Sequence, residues 1–252
     1  MRRDFFLNKL KDKNQRGQLT IFIILAIVIV GVVLVFFAIR GGIFQQILTP
    51  NTEKVQNFVQ NCIDETGTDI IYQIGQNGGY YFPSNLSTSS GVSIYYENGK
   101  NYLPSKKQIE EEISSFFDYE LFFCTRNFVD FPDMNILQGE IKTETKIENE
   151  RVVLNVNYPI TITKDNSGSR IENFKAEIPT RMGIVYDSVS EFLQNQTDNG
   201  ICLSCLLEAT DKNDLYVEMM DYDEKTVIFV FRDKNSKIKD EEFVWVFANR
   251  YE

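Results

Sequence analysis

Histidine is absent from the 252-residue chain. The chain therefore lacks both the commonest general base and the commonest metal ligand. This absence excludes Ser-His-Asp and Cys-His catalytic sites and every zinc site that uses histidine. The sequence also lacks a Gly-rich phosphate-binding loop and a G-x-S-x-G segment around a nucleophilic serine. We therefore predict no catalytic residue, no metal site and no cofactor, and we expect that the protein is not an enzyme.

Positive charge is scarce in the larger part of the chain. Residues 41–252 contain 19 Lys and Arg against 34 Asp and Glu, a net charge of −15. Binding to a phosphate backbone requires a basic patch, and none is visible in this part. We therefore expect no nucleic-acid partner.

An apolar run near the N-terminus has no charge over 21 residues, from Leu19 to Ile39. As an α-helix it would be roughly 31 Å long, which matches a hydrocarbon core of about 30 Å. A buried helix of this length in a soluble protein would carry a polar stripe, and this run has none. The pattern predicts a transmembrane helix over residues 18–40, so that the lipid bilayer is a partner.

Flanking charge predicts the orientation of this helix. Residues 1–17 carry a net charge of +4, and basic flanks stay in the cytoplasm. We therefore divide the chain into a basic cytoplasmic tail (1–17), a transmembrane helix (18–40), a juxtamembrane linker (41–50) with the flexible pair Gly41-Gly42, and an extracytoplasmic domain (51–252). The expected protein is a single-pass protein of the cell membrane.

The junction between the basic and apolar parts reads Arg16-Gly17-Gln18-Leu19-Thr20. This segment resembles the class III signal peptides of archaeal type IV pilin-like proteins. The resemblance covers about 20 to 25 residues, and it implies cleavage between Gly17 and Gln18 by a prepilin peptidase. The Glu that often stands at the fifth mature position is replaced by Phe22, which weakens the case for filament assembly. A plain, uncleaved signal anchor is the alternative.

Local patterns in the extracytoplasmic part predict an α+β fold, with one antiparallel sheet and two or three packed helices. Apolar residues at helical spacing predict helices over Asn51 to Ile74, from a Ser105 cap to about Asn127, and over Pro179 to about Thr197. Asn98-Gly99 predicts a hairpin. Strands are expected at 141–147, 152–163, 171–178, 215–219, 226–232 and 243–249, the first three forming a meander.

Four cysteines, Cys62, Cys124, Cys202 and Cys205, are candidates for disulfides in an oxidising compartment. Cys62 and Cys124 lie on the apolar faces of two predicted helices, so they would form either a bridge between the helices or two buried thiols. Cys202 and Cys205 form a C-x-x-C segment. Its interpretations are a local disulfide, core thiols, a redox pair at a helix N-terminus, or half of a four-cysteine zinc site.

Further surface features carry weaker predictions. Asn85 and Asn195 begin N-glycosylation sequons. The tyrosines of 80–82 and 95–96 are either exposed for binding or half-buried strand residues. The acidic residues of 211–224 lack calcium-loop spacing and are expected to be solvated.

Two functions follow, and a third is least expected. The first is a structural or interaction protein of the cell surface, including a pilin-like subunit that self-assembles. The second is a monomeric anchored domain that binds a partner protein of the envelope. A membrane-anchored enzyme is the third, because neither a motif nor a histidine supports it.

Overall fold

The structure, a computed structural model, describes residues 24–33, 50–164, 167–197 and 200–251. The chain divides into two compact units, Met1–Thr49 and Pro50–Glu252. In the first unit, residues 24–33 form helix α1. Within the described ranges, no helix has both the length and the apolar character needed to cross a bilayer. The predicted tail, the Gly17–Gln18 cleavage site, residues 41–49 of the predicted linker and the rest of the predicted transmembrane helix lie outside those ranges. Pro50, assigned to the linker from the sequence, is instead the first residue of a helix.

The second unit is α+β, as the sequence predicts, with four α-helices and nine strands among its described residues. The prediction of two or three helices is too low, because it does not include the short helix Leu203–Asp211. The helices are α2 (Pro50–Gln76), α3 (Lys106–Thr125), α4 (Met182–Gln194) and α5 (Leu203–Asp211), with a 3₁₀ turn at Arg126–Phe128. The strands are β1 (Ile94–Glu97), β2 (Lys100–Asn101), β3 (Asn135–Gln138), β4 (Lys142–Ile147), β5 (Arg151–Lys164), β6 (Ser167–Pro179), β7 (Tyr216–Asp221), β8 (Thr226–Ile238) and β9 (Glu241–Arg250).

Helices α2 and α3 pack side by side through the apolar stripes that predicted them. On α2 the stripe includes Val59, Ile70 and Ile74, all buried. A Cβ at Gly67 would lie 2.8 Å from a Leu154 methyl and 2.7 Å from an Ile178 methyl, so this glycine lets α2 approach β5 and β6 closely. The N-terminus of α3 is fixed by a reciprocal capping box between Ser105 and Gln108, as the predicted Ser105 cap requires.

One sheet has the strand order β2-β1-β9-β8-β7. β8 and β9 are its two long central strands, and β1 pairs with β9 in parallel. One face buries Phe229, Phe231 and Phe247 against Phe192 of α4, with ring centroids 5.1, 6.1 and 6.4 Å from the Phe192 ring. Full burial of such a side chain contributes about 1.5–3 kcal/mol, so this cluster anchors α4 to the sheet.

The second sheet is built around the 14-residue strand β5. β6 lies on one side of β5, and β4 and β3 lie end to end on the other side, all antiparallel to it. Alternate residues of β5, including Val152, Leu154 and Val156, are buried, whereas Asn155 and Asn157 are exposed. This period of two is typical of a sheet with one solvated face.

The prediction of a single antiparallel sheet is wrong in two respects. The strands form two sheets, and the first contains the parallel β1–β9 pair. The physical reason is that residues 94–97 lie far from 241–250 in sequence, and local alternation carries no information about such long-range pairing. Strand β3 was also missed, because Asn135–Gln138 is only four residues long.

Candidate interaction surfaces

The four cysteines form two separate pairs. Cys62 of α2 is bonded to Cys124 of α3, with 5.8 Å between the Cα atoms, and this bridge fastens the first helix to the second. Cys202 is bonded to Cys205, with 5.3 Å between the Cα atoms. The pairing does not bring the four sulfurs together as a zinc site would require. Among the described residues, no cluster of His, Cys, Asp or Glu could hold a metal ion.

The Cys202–Cys205 pair lies at the N-terminus of α5. Cys202 is the N-cap residue, and its Sγ accepts a hydrogen bond of 3.3 Å from the Cys205 N–H. The two cysteines are half-buried, whereas Leu203 between them is 55% exposed, as is Leu207 one turn later at 60%. The pair therefore fixes the first turn of a helix that exposes two leucines at its surface.

Aromatic side chains cover the outer surface of α3. We call this set the α3 aromatic patch: Tyr81, Phe82, Phe116, Tyr119, Phe122 and Phe123. Tyr81 stacks on Phe116 at a centroid distance of 4.2 Å, and Tyr119 meets Phe123 edge-on at 4.8 Å. Phe82 is 64% exposed and Tyr119 is 59% exposed. Exposed aromatic clusters are typical of binding surfaces.

The two tyrosine-containing segments, 80–82 and 95–96, differ in exposure. Tyr95 and Tyr96 are buried strand residues of β1, so the binding interpretation is wrong for them. Tyr81 and Phe82 lie at the surface, where the Tyr81 N–H donates to Glu112 at 3.1 Å and the Tyr81 hydroxyl donates to Glu120 at 3.0 Å. These two bonds position the 80–82 segment against α3.

Strand β7 is the outer strand of the first sheet, because β8 is the one strand that pairs with it among the described residues. The Tyr222 N–H donates to the Thr226 carbonyl at 2.9 Å where the two strands turn. In an antiparallel pair, hydrogen-bonded positions alternate. The register therefore points the backbone N–H and C=O groups of Val217, Met219 and Asp221 away from β8.

Exposed apolar side chains flank these outward backbone groups. Met219 is 46% exposed, Met220 47% and Tyr216 45%. Met219 and Leu203 also line a groove of about 750 Å³ between β7 and the start of α5. We call this surface the β7 edge, defined by Tyr216, Val217, Met219, Met220 and Asp221. The sequence pattern predicted a strand here. It did not predict that the strand is exposed, because methionines such as Met219 and Met220 are usually buried in a core.

A buried ion pair fixes the chain where it enters β7. Arg181 donates to Asp233 at 2.8 Å and to the Asn213 carbonyl, three residues before β7, also at 2.8 Å. The Asp233 carboxylate is fully buried, and burial raises its pKa against the lowering effects of the Asn235 N–H and Arg181. This buried ion pair therefore holds in place the residues that lead into the β7 edge.

The acidic residues of 211–224 make separate contacts and do not converge on one site. Glu218 pairs with Arg232 at 3.0 Å, and this guanidinium holds the pKa of that carboxyl below its usual range. Asp214 faces Lys234 at 3.7 Å, and Asp223 accepts bonds from the backbone of the β7–β8 turn. These carboxylates fix strand ends and turns.

Comparison with protein-family models, with curated proteins and with solved structures gives no match.

The remaining sequence predictions concern modification. Asn85 lies exposed in the segment before β1, and Asn195 lies exposed at the end of α4. The Asn195 side chain donates to the Glu191 carbonyl at 3.1 Å. Both amides are placed at the surface, where a glycan has room.

Proposed function

We propose that the protein is a single-pass membrane-anchored surface protein with a structural or interaction role. The observation that carries the proposal is the uncharged run Leu19–Ile39 between a segment of net charge +4 and one of net charge −15. The basic side remains in the cytoplasm, and the Pro50–Glu252 unit lies outside.

The disulfides support an extracytoplasmic location for this unit. All four cysteines of the chain are bonded in pairs, and such bonds persist in oxidising compartments. The bond between Cys62 and Cys124 closes a long loop, and a bond of this kind typically contributes about 2–4 kcal/mol of stability.

Surface chemistry supports the interaction role. The α3 aromatic patch and the β7 edge expose large apolar side chains on an otherwise acidic protein. An exposed apolar patch and an open strand edge are both features through which proteins contact other proteins. The Gly17–Gln18 junction adds a narrower proposal, in which a prepilin peptidase removes residues 1–17 and the chain is a pilin-like subunit.

Topology can be tested with single added thiols, because the native cysteines are bonded in pairs. Asn195→Cys places a thiol on the surface of the Pro50–Glu252 unit, and Asn8→Cys places one in the basic tail. With intact cells and a membrane-impermeant maleimide, we expect labelling of the first variant only. Labelling of the second variant alone would show that the orientation is the reverse of the proposed one. Recovery of the unlabelled protein in the soluble fraction would show that the chain is not anchored in the membrane.

Processing is tested separately by the intact mass and N-terminal sequence of the chain coexpressed with a prepilin peptidase. A mature terminus at Gln18 supports the pilin-like subunit, and Gly17→Leu serves as the uncleaved control. A terminus at Met1 or Arg2 excludes it and leaves the plain anchor.

A further inference from the structure

The described edge strands of the unit differ in how well they are protected against pairing with a further strand. β2 is two residues long and β3 is four, which gives each little edge for pairing. The outer N–H groups of β4 are bonded to α3, through Glu110 at 2.9 Å, Ser114 at 3.2 Å and Asp118 at 3.4 Å. β6 carries charged side chains along its outer edge. Natural proteins use these devices to prevent unwanted pairing of strands.

β7 has less protection, because Asp221 is the one charged residue at its three outward positions. It is six residues long, without proline or lysine, and its partner register to β8 is regular. Among the described residues, none forms a hydrogen bond with the outward backbone groups of Val217, Met219 and Asp221. An open edge with exposed methionines is a template for a further strand.

We infer that this further strand is β7 of a second copy of the chain, paired antiparallel about a two-fold axis at Met219. The register follows from which groups point outward. Residues 217, 219 and 221 carry the free bonding groups, so odd positions must face odd positions. Pairing about Met219 sets Val217 opposite Asp221, Glu218 opposite Met220, and Met219 opposite itself.

The two registers that pair five residues of β7 are centred on Glu218 and on Met219, and charge selects the second, because the first sets the two Glu218 carboxylates opposite each other. Like charges directly opposite are destabilising. Centred on Met219, no acidic residue of β7 faces another acidic residue, and the methionines meet. The contact is self-complementary, as a two-fold interface requires. The two five-stranded sheets would then form one continuous sheet.

This inference rests on the interaction role proposed above and names its partner as a second copy. Confinement of both copies to one membrane raises their effective concentration, so a short contact can be populated. Leu203, which lines the groove beside Met219, would be covered at the rim of the pair.

Cysteine cross-linking tests the register in the full chain, in its own membranes. Met219→Cys places two thiols directly opposite each other, at a Cα separation of about 5.5 Å, which a disulfide can span. Met220→Cys is the matched control, because it lies on the same strand with nearly equal exposure. Its two copies would be about 8 Å apart in this register, beyond the range of a disulfide. With a mild oxidant we expect a reducible dimer from the first variant and loss of that product in the second. Equal yields, a product from Met220→Cys alone, or none from either would overturn the proposal.

Lysine substitutions give an independent readout in detergent or nanodiscs, by the mass of the particle. Met219→Lys sets two positive charges opposite each other, so we expect the dimer to be lost. Met220→Lys faces Glu218 of the other copy, so we expect the dimer to persist. Persistence in Met219→Lys, or a monomer in the unsubstituted chain, would contradict the inference. Because neither assay measures orientation or anchoring, failure here leaves the topology test unaffected.

Discussion

Two edge strands of the same unit, β6 and β7, differ in the side chains at their outward positions and in how far other residues cover them. On β6 the outer positions are Asn173, Lys175 and Glu177, with Lys175 paired to Glu177. Gln60 of α2 donates to the outward Lys175 carbonyl at 3.0 Å. On β7 the corresponding positions are Val217, Met219 and Asp221. The β6 edge is charged at two of these three positions and partly covered, whereas the β7 edge is apolar at two of its three positions and open.

The β4 edge shows a third solution. Glu110, Ser114 and Asp118 are four residues apart on α3, a rise of about 6.0 Å per step. Alternate residues of β4 are about 6.8 Å apart, nearly the same spacing. A helix can therefore bond successive outer N–H groups of a strand from one face, and here the bonds go to Thr143, Thr145 and Ile147. Burial raises the pKa of Asp118 at the end of this ladder.

The largest expected loss of stability comes from the base of β7. Arg181→Met leaves the buried Asp233 carboxylate without its cation, and breaking such a pair costs about 3–5 kcal/mol. Denaturant unfolding of the full chain in detergent, followed by fluorescence of the single, buried Trp245, measures the loss.

Arg151→Met is the matched control. Arg151 pairs with Glu148 at 2.8 Å and with Glu177 at 3.0 Å, but its side chain is 48% exposed. Exposed pairs contribute about 0–1 kcal/mol, so this variant should unfold near the parent. Equal losses in the two variants would show that burial of the Arg181 pair does not determine its contribution.

A smaller effect is expected when the β4 edge is uncovered. Ser114→Ala removes the acceptor of the Thr145 N–H, and one such bond contributes about 1 kcal/mol. Hydrogen exchange should become faster at Thr143, Thr145 and Ile147 and remain unchanged in β7. Glu111→Ala, on the solvent side of the same helix, is the control. Unchanged exchange in β4 would mean that the α3 ladder does not protect that edge.

Local structure was predictable from sequence where one pattern determined it. The Ser105 cap, the Asn98-Gly99 turn and the α2 stripe all depend on residues close together in the chain, and the structure confirms each. The parallel β1–β9 pair was not predictable, because its members are about 150 residues apart.

The candidate surfaces were predicted less well than the fold. Exposure of Met219 depends on which strand is outermost, and sequence alternation does not give strand order. The three α3 side chains that bond to β4 could be recognised in part from the sequence, since Glu110, Ser114 and Asp118 recur at helical spacing. Without knowledge that β4 lies beside α3, that spacing indicates only a solvated face.

The smallest expected change in stability concerns the buried residues beneath the groove that lies beside the open β7 edge. Tyr251 lines that groove but is only 8% exposed. Its hydroxyl donates to Gln196 at 3.0 Å and accepts from Asn249 at 3.2 Å, so Tyr251→Phe should cost about 1 kcal/mol at neutral pH. Burial raises the pKa of Tyr251 to about 12.

The sign of the pH dependence follows from that shift. Because the folded pKa lies above the ordinary value of about 10, the contribution is complete below about pH 10 and is lost as the pH rises through about 12. The stability difference between the parent and Tyr251→Phe should therefore shrink over this range in denaturant unfolding. Tyr222→Phe is the control, since hydrogen bonding by Ser89 lowers the pKa of Tyr222 and gives its contribution the opposite sign. A difference for Tyr251→Phe that stayed constant to pH 12 would show that the hydroxyl ionises in the folded protein as it does in the unfolded chain.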